Sequence, residues 1–281
     1  MDNRPIGFFD SGLGGLTSIP YLRDLLPEER VIYFGDTART PYGSKAVTTI
    51  RRFSTEIADF LVKSNVKMIV IACNTVSATC LDELQERFPK IPILGIISPA
   101  ARETAVSLEE GDELGIIGTK VTIASHAYRR MIEEANPGVS IHETACPAFV
   151  PLIEEGIIHH EIMDSTIRYY MDDFIKDNRI NKLILGCTHY PLIKENLSRI
   201  YPDVSIINPS SIVIKNVESI LRERDMLASG SDFTDVFYAS DLSENFVNMI
   251  DHIFEDADDN DDRKIKFIDL DIEKEKTHGL L

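Results

Sequence analysis

Two apolar runs of the chain end in a cysteine followed by polar residues, and the segments around them look like copies of one another. The first reads Lys67-Met-Ile-Val-Ile-Ala-Cys73-Asn-Thr75 and the second Lys182-Leu-Ile-Leu-Gly-Cys187-Thr-His189. Each is followed by a helical pattern, an aromatic-proline pair (Phe88-Pro89, Tyr201-Pro202) and another apolar run (Ile91 to Ile97, Val204 to Ile207). The openings also correspond: Ile6-Gly-Phe-Phe-Asp10 runs into Ser11-Gly-Leu-Gly-Gly15, and Leu114-Gly-Ile-Ile-Gly118 runs into Thr119. A chain built from two such copies is expected to make two similar units, and two thiols at equivalent places suggest one site approached from two sides.

Short buried-strand runs alternate with helix-length segments. Val31 to Phe34 reads as a strand, Ile50, Phe53, Ile57 and Leu61 fall at helical spacing, and a helix pattern carries Tyr128 and Met131. This alternation predicts an α/β fold: two similar domains with mainly parallel sheets, related by pseudo-two-fold symmetry, with the active site in the cleft between them. The expected boundaries are 1–97 plus 210–281 for the first domain and 98–209 for the second, with crossings at Ile97-Ser98-Pro99 and Asn208-Pro209-Ser210. Ligands of such sheets bind beyond the carboxyl ends of the strands, where Asp10, Ser11, Cys73, Thr119 and Cys187 fall. The acidic run from Glu255 to Asp262 reads as a solvated loop.

A net charge of -17 argues against nucleic acid or an anionic membrane as partner, because phosphate binding draws on clustered Lys and Arg. No apolar stretch approaches a membrane span and no signal-peptide pattern opens the chain, so a cytoplasmic protein is expected. Four cysteines without a Cys-x-x-Cys pair suggest reduced thiols, with neither a disulfide framework nor a zinc site.

A thiol beside a helix N-terminus ionises more readily than a free one. Helices are predicted from near Ser77 after Cys73 and from near Pro191 after Cys187. One thiolate and one thiol would supply the base and the acid that inversion at a carbon requires. A buried cysteine at a strand end otherwise packs as a small hydrophobe, but that leaves the matched pair unexplained. Cys80 and Cys146 have no counterpart in the other copy and read as structural. His189 is placed to polarise a thiol or shuttle protons. Asp10 is a candidate partner for an ammonium, with helix capping as the competing role, and Asp36 and Glu154 are further carboxylates. The glycines of Ser11-Gly-Leu-Gly-Gly15 form neither a complete dinucleotide fingerprint nor a P-loop. Asn74, Thr75, Thr119, Thr188 and the Tyr42-Gly43 backbone are donors suited to a small dicarboxylate.

Asp10-Ser-Gly-Leu-Gly-Gly-Leu-Thr17, Pro41-Tyr-Gly43, Ala72-Cys-Asn-Thr75 and Leu185-Gly-Cys-Thr-His-Tyr-Pro191 together resemble the glutamate racemases, cofactor-independent enzymes that supply D-glutamate for bacterial peptidoglycan. The resemblance runs from about residue 5 to 210. It implies that Cys73 and Cys187 are the two acid/base residues, each deprotonating one enantiomer. It implies substrate contacts from Asp10, Ser11, Tyr42, Gly43, Asn74, Thr75, Thr188 and His189, and Glu154 as an auxiliary carboxylate. Glutamate is then the small-molecule substrate, with no cofactor and no metal, and a homodimer is left open. Some family members are activated by a peptidoglycan precursor near an N-terminal extension; five residues precede the first strand here, so no such activation is expected. The rivals are an aspartate or hydantoin racemase, a closing receptor that binds without turnover, and a thiol redox protein.

Overall fold

The computed structural model describes residues 1–230, 234–253 and 264–268, so the acidic run 255–262 lies outside the described residues. Its strands are β1 (Ile6–Asp10), β2 (Val31–Gly35), β3 (Met68–Ile71), β4 (Ile93–Gly95), β5 (Glu113–Gly118), β6 (Ser140–Ala145), β7 (Lys182–Gly186), β8 (Ser205–Ile207), β9 (Val236–Ala239) and β10 (Lys264–Phe267). They form two sheets, ordered β10-β9-β2-β1-β3-β4 and β6-β5-β7-β8, and every pairing is parallel. Without β9 and β10, the first sheet has the same order as the second: second strand, first, third, fourth. The repeated sequence therefore folds into a repeated topology, and the fold class read from the sequence holds.

The helices are α1 (Ile19–Leu25), α2 (Val47–Lys63), α3 (Asn74–Arg87), α4 (Ile97–Ser107), α5 (Lys120–Ser125), α6 (Ala127–Ala135), α7 (Phe149–Glu154), α8 (Glu161–Asn178), α9 (Lys194–Ile200), α10 (Pro209–Glu223) and α11 (Glu244–Ile253). Helices cover both faces of the central strands, so β1, β2 and β3 are buried along their whole length and read as unbroken apolar runs rather than alternating ones. Ile50, Phe53, Ile57 and Leu61 form the buried stripe of α2, as their spacing predicts.

One core cluster runs through both halves. It joins Phe8 and Val70 to Ile116 and Ile184 by way of Ile97 and Ala101 of α4, Tyr128 of α6, and Val213 and Val217 of α10. The Ile97-Ser98-Pro99 crossing is thus the first turn of α4. The Asn208 crossing is a helix start too, with Asn208 Oδ1 accepting from Ser210 N–H and Pro209 in the first turn. The other two clusters lie on the outer faces, around Phe9, Phe34 and Ile57 in one half and Ile117, Ile167 and Leu185 in the other. Among the described residues no helix is long and apolar enough to cross a membrane.

Candidate active site

β3 and β7 occupy the same place in their sheets, and the chain leaves each at a cysteine. Cys73 is the N-cap of α3, which starts at Asn74, three residues ahead of the predicted start. After Cys187 the chain makes a short 3-10 turn over Tyr190–Ile193 and reaches α9 only at Lys194. Pro191 falls in that turn, not in an α-helix.

Both sulfurs reach one cavity, lined by Ser11, Pro41, Tyr42, Gly43, Cys73, Asn74, Thr75, Thr119, Val150, Cys187, Thr188 and His189. It is nearly closed, with about 10 Å³ of free space, roughly one water's worth. Side chains of the two halves interlock around it. Thr75 Oγ1 lies 3.0 Å from Thr119 Oγ1 and 3.2 Å from Thr122 Oγ1, and Thr188 donates to Asp10 Oδ1 across 3.1 Å.

Two glycines permit this approach. A Cβ on Gly14 would stand 2.6 Å from Thr188 Oγ1 and closer still to the His189 ring, and one on Gly43 would overlap the Thr119 side chain. The glycine-rich turn after β1 therefore makes room for the opposite half of the molecule.

Asp10 and Glu154 stand one step behind the lining. Asp10 is completely buried, with Oδ2 accepting from Gly12 N–H at 3.1 Å and Oδ1 from Thr188. Burial raises its pKa, while the His189 charge and these hydrogen bonds pull the other way. Glu154 Oε1 sits 2.5 Å from His189 Nε2, and His189 Nδ1 sits 3.9 Å from Cys187 Sγ. Burial opposes protonation of His189, but its hydrogen bonds and attraction to Cys187 and Glu154 outweigh that, and its pKa stands well above the ordinary value. A cationic imidazole beside Cys187 is a counter-charge for a thiolate.

Among the described residues, Cys73 has no such partner. Its thiol donates to Ser11 Oγ at 3.6 Å. Burial, with the Asp10 charge adding to it, pushes its pKa up to about 12, against the opposing pull of Val76 N–H and Ser11. The helix N-terminus was expected to favour a thiolate, and at Cys73 desolvation wins. Asp36 organises the neighbouring loop: it takes both oxygens to Arg39, and accepts from Ser240 at 2.8 Å and from the Tyr42 hydroxyl.

Pro41 and Val150 complete the lining without having been singled out in the sequence. Pro41 stands in the Pro-Tyr-Gly motif itself, and Val150 stands four residues before Glu154 on α7; either was within reach of the motifs. Cys80 and Cys146 are buried away from the lining.

The profile of the Asp/Glu/Hydantoin racemase family matches residues 19–217. A glutamate racemase of Sulfurihydrogenibium sp. is 42% identical over 245 residues, covering 86% of this chain and 93% of its own length. One of Geobacter metallireducens is 42% identical over 251 residues, covering 89% and 92%. The crystal structure of glutamate racemase from Francisella tularensis in complex with D-glutamate superposes with a TM-score of 0.87 at 38% identity, covering 97% of this chain and all of that one.

Proposed function

The chain belongs to the Asp/Glu/Hydantoin racemase family, which makes it an isomerase, and from that premise we propose that it interconverts L- and D-glutamate by proton transfer between Cα and two cysteines. Support comes above all from the two sulfurs lining one cavity at corresponding strand ends. Glutamate enters when the halves 1–97 plus 210–281 and 98–209 part, since about 10 Å³ admits no amino acid. Its carboxylates take the hydroxyl and amide donors of Ser11, Asn74, Thr75, Thr119 and Thr188 and the Tyr42-Gly43 backbone. Its ammonium lies on the Asp10 side, whose charge reaches the cavity through Thr188. Closure then removes water and fixes these donors where charge develops.

One sulfur takes the α-proton as a thiolate, and the other returns a proton to the opposite face as a thiol. In this cycle Cys73 begins as the thiol, and the imidazolium held by Glu154 is the counter-charge for a thiolate formed at Cys187. The reverse reaction exchanges these roles. D-glutamate made in this way in the cytoplasm supplies peptidoglycan synthesis.

The test is purified protein with L-glutamate in deuterium oxide and no added cofactor. Loss of the α-proton signal together with loss of optical rotation is expected. Unchanged spectra over long incubation would overturn the proposal, and faster turnover of aspartate in a parallel assay would reassign the substrate.

A further inference from the structure

Behind Asn74 stands a residue that does not line the cavity. Tyr128, on α6 of the second half, is buried and donates its hydroxyl to Asn74 Oδ1 across 2.7 Å. Its ring packs beside Gly186, the residue before Cys187. Asn74 is itself buried and lines the cavity, yet its Nδ2 has no hydrogen-bond partner among the described residues. Buried amide groups are rarely left unpaired, and an amide oxygen already engaged at the back leaves its NH₂ directed forwards.

We propose that Tyr128 is a positioning residue for substrate: its hydroxyl fixes the Asn74 amide so that Nδ2 faces the cavity and donates to a carboxylate oxygen of the amino acid. The proposal rests on the racemase reading and adds to it the group that orients one carboxylate donor. An amide turned the other way would present Oδ1, an acceptor, to an anion, so the choice between the two orientations decides whether Asn74 attracts or repels the ligand. Tyr128 suits the task because a protonated phenol can donate to the amide oxygen, as its hydroxyl does to Asn74 Oδ1. Burial, and the Cys187 charge after it, raise its pKa, so the phenol keeps its proton throughout the working range.

The bond also spans the cleft, from α6 of one half to the first residue of α3 in the other. It forms only when the halves meet, so the amide is ordered by closure and free to turn when the cleft opens. Carboxylate recognition and closure are then one event.

The experiment is a double-mutant cycle on D-glutamate binding, measured by calorimetry on the full chain: wild type, Tyr128→Phe, Asn74→Ala and the pair. Tyr128→Phe should weaken binding about three- to tenfold, the worth of one ordinary hydrogen bond, and raise KM more than it lowers kcat. In the Asn74→Ala background the same change should have no effect. Equal weakening in both backgrounds, or none in either, overturns the proposal. A wild type that neither binds nor racemises glutamate sinks the racemase reading first, and this inference with it. Should Tyr128→Phe fail to fold, the side-chain amide NMR signal of Asn74 in the wild type decides: a shift on adding D-glutamate is expected, and an unmoved signal contradicts the assignment.

Discussion

The ends of β3 and β7 are the same place in two copies of one topology, yet they surround their cysteines differently. At Cys73 the chain turns at once into a helix, and the sulfur has a hydroxyl for company, with the buried carboxylate of Asp10 nearby. At Cys187 a loop intervenes, and it brings His189 within 3.9 Å of the sulfur with Glu154 behind it. Duplication therefore supplied two thiols at matched positions, and the residues after each thiol set its proton environment. An enzyme that works in both directions needs like groups, but at rest it needs them in unlike protonation states. On the proposed two-sulfur mechanism, the asymmetry of the surroundings is what would set the two ends apart.

The comparison breaks most readily at the sulfurs. Replacing either Cys73 or Cys187 with Ala should lower the racemisation rate by at least the roughly 10² to 10⁴ that a positioned proton-transfer group contributes, as read by polarimetry. A variant of either that keeps its rate would show that the two ends are not partners.

A milder change tests the difference between the ends. Glu154→Gln removes the charge that holds His189 protonated, so the imidazole should lose its proton at lower pH than in the wild type, as followed by NMR of the ring. The sign follows from the raised pKa: in the wild type the ring is still a cation above pH 6.5, and the variant moves back towards that value. The rate should fall about 10- to 100-fold, the worth of a charge-assisted hydrogen bond. The isotope effect on removing the Cα hydrogen should rise for the enantiomer that Cys187 deprotonates and not for the other. An equal rise for both would deny that the dyad serves one end.

Gly14→Ala tests the contact between the halves. Its methyl would meet Thr188 and the His189 ring, so a loss of about 1 to 3 kcal/mol of stability is expected from overpacking, with a lower rate, by thermal melts and assay. An unchanged melting temperature would mean that the halves do not meet this closely. The smallest effect is expected from Cys80→Ala: about 1 kcal/mol of stability and unaltered kinetics, because Cys80 lies inside α3 and off the lining.

Much of this was legible in the sequence because apolar strands and the residues after them carry their own signal. The runs ending at Cys73 and Cys187, the first strand through Asp10, and Thr119 could be placed at strand ends from pattern alone, with Thr75 and Thr188 following the two cysteines, and the cavity draws on all of these ends. What could not be read depended on contacts between the copies. Tyr128 looks like one more apolar position on a helix face until Asn74 is seen against it, and the need for glycine at position 14 arises from His189, far along the chain. The raised thiol at Cys73 was hidden for a related reason. A helix start is visible in sequence, but the burial that overrides it comes from strands and helices distant along the chain that pack around Cys73. The short turn after Cys187 was missed because Pro191 suits the first turn of an α-helix as well as it suits a 3-10 turn.

The most direct test of the two-sulfur account is where solvent hydrogen goes during the first few per cent of reaction in deuterium oxide. With separate groups on opposite faces, newly formed D-glutamate should carry deuterium at Cα while the remaining L-glutamate keeps its protium, and the same should hold starting from D-glutamate. Protium carried over into the product, or deuterium appearing equally in recovered substrate, would mean that a single group serves both faces, and the account would be wrong.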